Sequence, residues 1–260
     1  FWLKDRACGL SRALPPAGME DLEPGLRLPD DGIKIYYWPA TGKAQPIRFM
    51  LAEAGVSWED VCWEKSEQIG IYSSSTSLGS CSSDPNFMAF KAKCCELGGN
   101  PTTNMPMVEL GGKFYTQSTA VYRLIARMAG LYPRSIEQAY VVDNIMAHVE
   151  DAKSPCYNFL FRPDKNRFLN DVIPKHLGNL ERLLGDGDFF VPGFFSVADI
   201  QVFDLLDSMV VAMVPDVLKD YPRLSALYDR VASRERIKAY LASDKCKALD
   251  KFVPLSEFKE

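Results

Sequence analysis

Histidine is almost absent from this chain, since only His148 and His176 occur among its 260 residues. None of the seven cysteines is part of a CxxC pair; they stand at positions 8, 62, 81, 94, 95, 156 and 246. A His-rich metal site is therefore excluded, and the usual spacing of paired redox or zinc-binding thiols is missing. Cysteines without a pattern favour free thiols in a reducing compartment. We predict a cytoplasmic protein that binds no metal.

The chain also lacks an excess of basic residues. Its net charge is −4 and its pI is about 5.4, so neither nucleic acid nor an anionic membrane surface is an expected partner. No apolar run reaches the roughly 20 residues that a membrane-spanning helix needs. With 47% apolar and 25% charged residues, the composition is that of a globular protein with one large or two modest domains.

Two stretches are poor in residues that could build a core. Residues 1–32 are rich in proline, glycine and charge, and we expect a flexible N-terminal extension there. Residues 64–103 include the serine-rich stretch "SSSTSLGSCSSDPN", which is typical of a mobile loop. Within this insertion, "NFMAFKAKCCE" predicts a short helix.

The segment from residue 33 to residue 130 has the pattern of a small sheet with helices. The stretches "IKIYYW" and "VSWEDVCW" predict two strands, and "PIRFMLAEA" between them predicts a helix that ends at Gly55. "PMVEL" and "KFYTQ" flank a Gly-Gly pair and predict a hairpin. Apolar residues at positions 121, 124, 125 and 128 predict a helix that begins at Ser118.

After the linker "GLYPRS", almost every residue up to 250 has a helical pattern, with at least four helices. The motif "SVAD" within this part predicts a capping box between Ser196 and Asp199, which is structural rather than catalytic. The fold class is therefore α/β plus all-α, with the first domain over 33–130, the helical domain over 136–250 and a tail at 251–260.

A polar pair lies where the hairpin meets its helix. Ser118 is expected to cap the helix, and the positive helix tip could also hold a carboxylate. Gln117 adds an amide, so the pair predicts a site for the charged end of an amino acid. Just before the hairpin, Met105–Pro106 is either a trans edge proline or a cis bond that exposes the backbone of Met105 to a peptide-like ligand.

Four motifs, in this order, resemble one family: "YYW…PIRFMLAEAG", "NMPMVEL", "FYTQSTAVYRLIARMAGLY" and "FSVADIQVFDLL". Over roughly residues 33–250 the chain resembles the cytosolic glutathione S-transferases, in particular the tyrosine-type branch with the alpha, mu, pi and sigma classes. The resemblance implies a thioredoxin-like N-terminal domain, a helical-bundle C-terminal domain and a homodimer. It also implies a detoxifying transferase that joins glutathione, its co-substrate, to small hydrophobic electrophiles without a further cofactor.

The resemblance assigns the catalytic role to Tyr37. In that family a tyrosine at the end of the first strand precedes an Ile-Arg or Leu-Arg pair in the first helix, and Ile47–Arg48 sets this register. Tyr36 is then expected on the opposite face of the strand. Without the register, a core aromatic is the simpler interpretation of Tyr37. The implied chemistry is a phenol O–H that hydrogen-bonds the glutathione sulfur and favours the thiolate, the form that attacks an electrophilic carbon.

The resemblance also implies contacts to glutathione. Met105, before Pro106, would pair its backbone with the cysteinyl part, while Gln117 and Ser118 would hold the γ-glutamyl end. Asp151 would reach that end across a dimer interface, although a solvated helix residue is the simpler interpretation of an isolated aspartate. The other candidates are Lys43 in place of the usual arginine, Asn104 in place of the usual glutamine, and Lys91 or Trp63 at the glycyl end.

The hydrophobic substrate is expected between the domains. Trp38 and Ala40 follow the first strand, and Tyr157 and Phe161 lie one turn apart on a helix, so these four are the candidate lining. An aromatic pair at this spacing is also common in a core.

Three alternatives stay open. A glutathione-dependent isomerase of the sigma type, such as a prostaglandin synthase, would use the same thiolate with a different pocket. A non-catalytic crystallin-like or scaffold relative would keep the fold, and the serine-rich insertion could cover its cleft. A cysteine-type redox relative would need a cysteine near the first helix, and residues 38–46 contain none.

Overall fold

The computed structural model describes residues 27–62, 85–99 and 105–257. Its sheet has four strands: β1 (Ile33–Tyr36), β2 (Trp58–Val61), β3 (Met107–Leu110) and β4 (Lys113–Tyr115). The strand order is β2-β1-β3-β4, with β1 parallel to β2 and the other two pairs antiparallel. This mixed sheet with its helices is the thioredoxin-like domain predicted from the sequence.

Three longer helices accompany the sheet: α1 (Gln45–Ala54), α2 (Pro85–Gly98) and α3 (Ser118–Met128). The helical domain contains α4 (Ile136–Phe161), α5 (Ile173–Leu184), α6 (Val197–Leu205), α7 (Pro222–Ala232) and α8 (Glu235–Ala242). Shorter helical segments are Gly42–Ala44, Lys165–Arg167, Phe168–Val172, Leu206–Val210, Val211–Met213, Val217–Asp220, Asp244–Lys247 and Leu255–Glu257. Within the described ranges, no helix combines the length and the apolar character that crossing a membrane requires.

The local predictions are largely confirmed, with some shifted boundaries. Gly111 and Gly112 form the predicted two-residue turn, both with φ near the left-handed region, at +55° and +75°. The first strand ends at Tyr36, two residues earlier than expected, because the chain turns away at Pro39. Helix α2 has 14 residues and is longer than the short helix expected there. The remainder of the insertion, 64–84 and 100–103, lies outside the described residues.

The two sides of β1 face different clusters. Ile33, Ile35 and Tyr37 belong to the main core with α1. Tyr36 packs instead with residues of α2 and β3 in a smaller cluster. The prediction that the two neighbouring tyrosines lie on opposite faces is therefore confirmed.

The main core is continuous from the sheet into the helical domain. Phe49 of α1 contacts Phe203 of α6 and Tyr240 of α8, with ring centroids 5.2 and 5.6 Å apart. Between α4 and α6, the Lys153 ammonium lies 2.7 Å from an oxygen of Asp204, and both side chains are fully buried. Such a pair persists in a core only because each charge is satisfied by the other.

The start of α6 is closed by its own side chains. Ser196 and Asp199 form the predicted capping box, in which Asp199 accepts the N–H of Ser196 at 2.8 Å. The same carboxylate accepts the N–H of Phe190 at 3.0 Å. Burial raises the pKa of Asp199 to about 6, although these hydrogen bonds oppose the shift.

The five cysteines in the described ranges are all free thiols, as predicted for that part of the chain: Cys62, Cys94, Cys95, Cys156 and Cys246. Burial raises the pKa of Cys94 to about 11 and that of Cys156 to about 12. These two thiols are therefore protonated and poor nucleophiles at neutral pH.

Candidate functional site

Three polar segments meet at one edge of the sheet because of the strand register. Tyr36 at the end of β1 pairs with Met107 at the start of the antiparallel β3, so continuing that register places Tyr37 beside Pro106. Strand β4 also ends at this edge, at Tyr115, and α3 begins three residues later at Ser118. The ends of β1, β3 and β4 thus bring together the tyrosine, the Met-Pro bond and the helix tip that sequence analysis selected separately.

Tyr37 is held by a backbone hydrogen bond at this edge. Its phenol oxygen accepts the N–H of Lys43 at 2.9 Å, while the side chain keeps 7% of its surface exposed. Tyr36 has a different environment, because its O–H donates to Glu109 at 3.0 Å. Burial and that carboxylate raise the pKa of Tyr36 to about 12, so this phenol stays protonated. The neighbouring tyrosines therefore differ in chemistry as well as in direction.

Lys43 connects Tyr37 with the tip of α3. Its carbonyl oxygen accepts the O–H of Tyr122 at 2.6 Å, and Tyr122 also hydrogen-bonds Ser118. Tyr122 is buried, and burial raises its pKa well above the usual value, so it acts as a neutral bridge. The Lys43 ammonium lies 3.2 Å from a carboxylate oxygen of Glu150 on α4. Sheet, helix tip and helical domain are thereby linked through a single residue.

A buried arginine supports this loop from behind. Arg48 on α1 is 1% exposed, and its guanidinium donates to the carbonyl of Ala40 at 2.9 Å and to Asp60 at 2.8 Å. From the C-terminal segment, the carbonyl of Asp250 accepts both the N–H and the hydroxyl of Thr41, at 2.9 and 3.2 Å. The loop between β1 and α1 is therefore rigidly positioned from two sides.

The predicted capping role of Ser118 is wrong. Ser118 is the first residue of α3, and Gln117 occupies the cap position with φ +69° and ψ 97°. Among the described residues, Gln117 is the one non-glycine residue with positive φ, and no side chain of that part of the chain caps the helix. The Ser118 hydroxyl lies beside the phenol of Tyr122. The first N–H groups of α3 are therefore available to an anion from solvent.

Of the other residues predicted to contact glutathione, only some lie within the described part of the chain. Met105–Pro106 is a cis peptide bond, which decides between the two possibilities that sequence left open. Lys91 is exposed on α2. Trp63 and Asn104 lie outside the described residues, so their roles stay predictions.

Asp151 lies on an exposed face of α4. Ile136 and Tyr140 on the same face, at helical spacing, are 83% and 68% exposed although both are apolar. Burial lowers the pKa of His176 overall. The Asp151 carboxylate is close enough to His176 to oppose this shift by favouring the charged form of the histidine. The Asp151 side chain is itself exposed.

The four candidates for the apolar pocket lie on separate elements, and each has its own surroundings. Trp38 packs on Phe87 of α2 at 4.7 Å, and Ala40 has no exposed surface. Tyr157 packs against Phe252, 5.9 Å between ring centroids. Phe161 is 56% exposed and lines a cleft at the end of α4 that none of the other three lines. Residues 251–257, predicted as a tail, thus contribute Phe252 to the core.

Three residues position the site in ways that the sequence did not predict: Arg48, Tyr122 and Glu150. Tyr122 follows Ser118 by one helical turn, so the spacing alone could have suggested their contact. Glu150 and Arg48 carry no such signal, because charged residues on helices are usually exposed. Their partners are remote in sequence, at Lys43 and in the loop before α1.

The fold and this site define a class of protein: a thioredoxin-like sheet domain, with a tyrosine and a cis-proline at one edge, followed by an all-helical domain. A family model described as "Glutathione S-transferase, C-terminal domain" matches residues 150–244. Glutathione S-transferase P of Bos taurus is 30% identical over 216 residues, which cover 80% of this chain and 91% of that protein. Glutathione S-transferase P 1 of Bufo bufo is 28% identical over 217 residues, with 81% and 91% covered.

A solved structure agrees in fold. The Pi-class glutathione S-transferase of Onchocerca volvulus superimposes with a TM-score of 0.66 at 20% identity, covering 84% of this chain and 96% of that one. The chain belongs to the glutathione S-transferase family, as its four sequence motifs suggested.

Proposed function

We propose that this chain is a glutathione transferase in which Tyr37 donates a hydrogen bond to the glutathione sulfur and keeps it ionised. The observation that carries the proposal is the 2.9 Å hydrogen bond from the Lys43 N–H to the phenol oxygen. A phenol that accepts such a bond becomes a stronger donor through its own O–H. The loop that supplies the bond is fixed by Arg48 and Thr41, so the phenol is held in place before any ligand arrives.

The energy required is within reach of this geometry. A free thiol has a pKa of about 8.5 and is mostly protonated at neutral pH. Lowering that pKa by two units requires about 2.7 kcal/mol of preference for the thiolate. A hydrogen bond to a charged group contributes about 1.5–3 kcal/mol. One well-placed phenol therefore accounts for most of the shift, and the thiolate attacks an electrophilic carbon.

The same edge offers partners for the peptide part of glutathione. Met105 precedes Pro106 beside this edge, and its backbone would pair with the cysteinyl part of glutathione. A γ-glutamyl carboxylate fits the uncapped start of α3, because its first N–H groups and the helix dipole both favour an anion. Gln117 and Ser118 stand at that tip, and their side chains supply further hydrogen bonds.

The activity test is conjugation of glutathione to 1-chloro-2,4-dinitrobenzene. Tyr37→Phe is expected to lower kcat/KM about a hundredfold, because the sulfur loses its donor, while glutathione affinity changes little. Tyr36→Phe is the matched control, since it removes a phenol of the adjacent residue on the opposite face. Equal rates for wild type and Tyr37→Phe would exclude Tyr37 from the reaction.

The isomerase alternative uses the same thiolate and differs only in the pocket for the second substrate, so it stays a prediction. If the chain is a non-catalytic relative, neither wild type nor the two tyrosine variants, Tyr36→Phe and Tyr37→Phe, would conjugate glutathione. Measuring glutathione binding by calorimetry beside turnover separates that case from a simple loss of the phenol.

We further propose a homodimer that uses the exposed face of α4. Ile136 and Tyr140 are apolar neighbours on that face with most of their surface exposed, and Asp151 shares the face. Tyr140→Glu is expected to shift the mass measured by light scattering from dimer to monomer. Leu183→Glu, at a half-exposed apolar residue of α5, is the matched control. A monomeric wild type would contradict the proposal.

A further inference from the structure

A buried phenol stands behind the loop that carries Lys43. Tyr122 of α3 is 1% exposed, and its O–H donates to the carbonyl oxygen of Lys43 at 2.6 Å. A tyrosine hydroxyl that is buried in a core needs a hydrogen-bond partner. Here the partner belongs to the same residue that holds Tyr37. The hydroxyl is therefore connected to the proposed reaction through a single residue of the backbone.

Two hydrogen bonds flank the Cα atom of Lys43. On one side, its N–H donates to the phenol oxygen of Tyr37 at 2.9 Å, and on the other side its carbonyl accepts from Tyr122. The N–H and the carbonyl belong to successive planar peptide groups, which turn only about the two bonds of that Cα. Fixing the carbonyl therefore restricts the direction in which the N–H points.

The other supports of this loop act before the Lys43 backbone. Arg48 and the carbonyl of Asp250 hold the two residues that precede Gly42. Gly42 follows with φ +40°, and a glycine adds backbone freedom between those anchors and Lys43. The short helical turn Gly42–Ala44 has three residues, too few to hold its geometry without outside contacts. Of these supports, the buried phenol acts on the Lys43 backbone itself.

The surroundings of Tyr122 keep it a neutral donor. Burial raises its pKa well above the usual value, and the nearby carboxylates of Glu150 and Asp204 act in the same direction. The Ser118 hydroxyl, one helical turn earlier, lies beside the phenol and opposes the shift, as a hydroxyl that donates to a phenol oxygen does. A phenol that accepts a hydrogen bond is also a stronger donor through its own O–H.

We propose that Tyr122 is a positioning residue of the transferase, whose hydroxyl keeps the Lys43 N–H aimed at Tyr37 and thereby helps to keep the glutathione sulfur ionised. Because Tyr122 is buried, it acts on the sulfur only through Lys43 and Tyr37. The inference rests on the proposed function, since it needs the hydrogen bond that Tyr37 would donate. A tyrosine that serves packing alone would stabilise the fold and leave the sulfur unaffected.

The readout is the pKa of the glutathione thiol in the complex, followed by the ultraviolet absorbance of the thiolate. Tyr122→Phe removes only the hydroxyl, and the thiol pKa is expected to rise by about one pH unit. At neutral pH the ionised fraction then falls, so kcat/KM is expected to be about tenfold lower. The Kd of glutathione is expected to change less than about threefold, because the contacts to the rest of the tripeptide remain.

Two comparisons separate a positioning role from a structural one. Tyr228→Phe removes a phenol hydroxyl that donates to Asp207 at 3.0 Å within the helical domain, and it is expected to leave the thiol pKa within about 0.3 pH unit of wild type. In the Tyr37→Phe background, Tyr122→Phe is expected to cause no further rise, because the donor on which it acts is already gone. Urea denaturation of each variant shows how much stability the lost hydroxyl costs.

A second variant covers the case in which Tyr122→Phe does not fold. Tyr122→Leu also lacks the hydroxyl, and its smaller side chain leaves room for a water molecule on the Lys43 carbonyl. A water holds the carbonyl less firmly than a phenol that is fixed in the core. The thiol pKa is therefore again expected to rise.

Two results would overturn the proposal. One is an unchanged thiol pKa in folded Tyr122→Phe or Tyr122→Leu while Tyr37→Phe raises it. The other is an equal further rise in the Tyr37→Phe background, which would mean that Tyr122 acts by another route. If Tyr37→Phe itself leaves the thiol pKa unchanged, the proposed function fails and this inference fails with it, so one variant tells the two failures apart.

Discussion

Two helix starts in this molecule solve the same problem in opposite ways. At α6, Ser196 and Asp199 satisfy the first donors from within the chain, and the whole turn is buried. At α3, Gln117 holds the cap position with an unusual backbone conformation and no side-chain cap from the described residues. A buried helix start must be satisfied by the protein itself, whereas one at an open edge can leave its donors to water or a ligand.

The difference is visible in the third residue after each cap residue. Asp199 stands there in α6 and closes the capping box, while Ala120 stands there in α3 and has no polar side chain. An apolar residue at that position cannot reach back to the chain. Helix α3 therefore keeps a free positive tip beside Tyr37, and the proposed function depends on that freedom.

The largest expected effect on stability is at the start of α6, which we call the closed start because Ser196 and Asp199 satisfy its first donors. Asp199→Ala removes the acceptor of three hydrogen bonds and leaves the N–H groups of Phe190 and Ser196 buried without a partner. We expect the free energy of unfolding to fall by about 3–5 kcal/mol, measured by urea denaturation. Asp216→Ala, at an exposed ion pair, is the control and should change it by less than about 1 kcal/mol. A small loss at Asp199 would mean that the two starts differ less than their geometry indicates.

The next effect concerns pH. Because burial raises the pKa of Asp199 to about 6, the folded state binds this proton more tightly than the unfolded state does. The resulting stability is fully present below the unfolded pKa of about 4 and is lost as pH rises through about 6. Relative to Asp199→Asn, wild type should therefore lose about 2–3 kcal/mol between pH 4 and pH 7.

Comparing wild type with Asp199→Asn at each pH cancels the titration of the other carboxylates. Urea midpoints at four or five values of pH are sufficient. A difference that stays constant, or that grows in favour of wild type as pH rises, would show that the carboxylate is ionised throughout.

The capping of the closed start could be predicted from the sequence. At the start of α3, the open start, only part of the arrangement could be predicted. The S-x-x-D spacing is local, so it identified Ser196 and Asp199 correctly. At α3, sequence indicated the right polar pair but the wrong cap, because the choice depends on the backbone angle of Gln117. The same limit explains Arg48 and Glu150, whose partners are brought near only by the tertiary fold.

The register of the small sheet was easier to predict. Tyr36 and Tyr37 alternate by the simple geometry of a strand, and the Gly-Gly turn fixed how β3 and β4 pair. The convergence of Tyr37, Pro106 and Gln117 then follows from three strand ends. The apolar pocket was not predictable in this way, because its candidates lie on separate elements whose relative packing no local pattern encodes.

A smaller effect is expected when the open start is altered. Ser118→Ala should change the free energy of unfolding by less than about 1 kcal/mol, because Ser118 is not the cap. It should weaken glutathione binding about tenfold, measured by calorimetry, because the hydroxyl stands at the proposed γ-glutamyl contact. Ser135→Ala, which removes the side-chain cap of α4, should show the reverse pattern of lower stability with unchanged binding. Equal stability losses in Ser118→Ala and Ser135→Ala would show that Ser118 stabilises the start of α3 as much as a side-chain cap does.

The smallest expected effect distinguishes the contribution of the Gln117 backbone conformation from that of its side-chain amide. Positive φ is unfavourable for a residue with a Cβ, so Gln117→Gly should relieve strain and raise the free energy of unfolding by about 0.5–1 kcal/mol. Gln117→Ala keeps the strain and loses only the amide, so its stability should match that of wild type more closely. Both variants should weaken glutathione binding to a similar extent if the amide is the contact. Stronger binding loss in Gln117→Gly than in Gln117→Ala would show that the fixed backbone, rather than the amide, orients the ligand at the tip of α3.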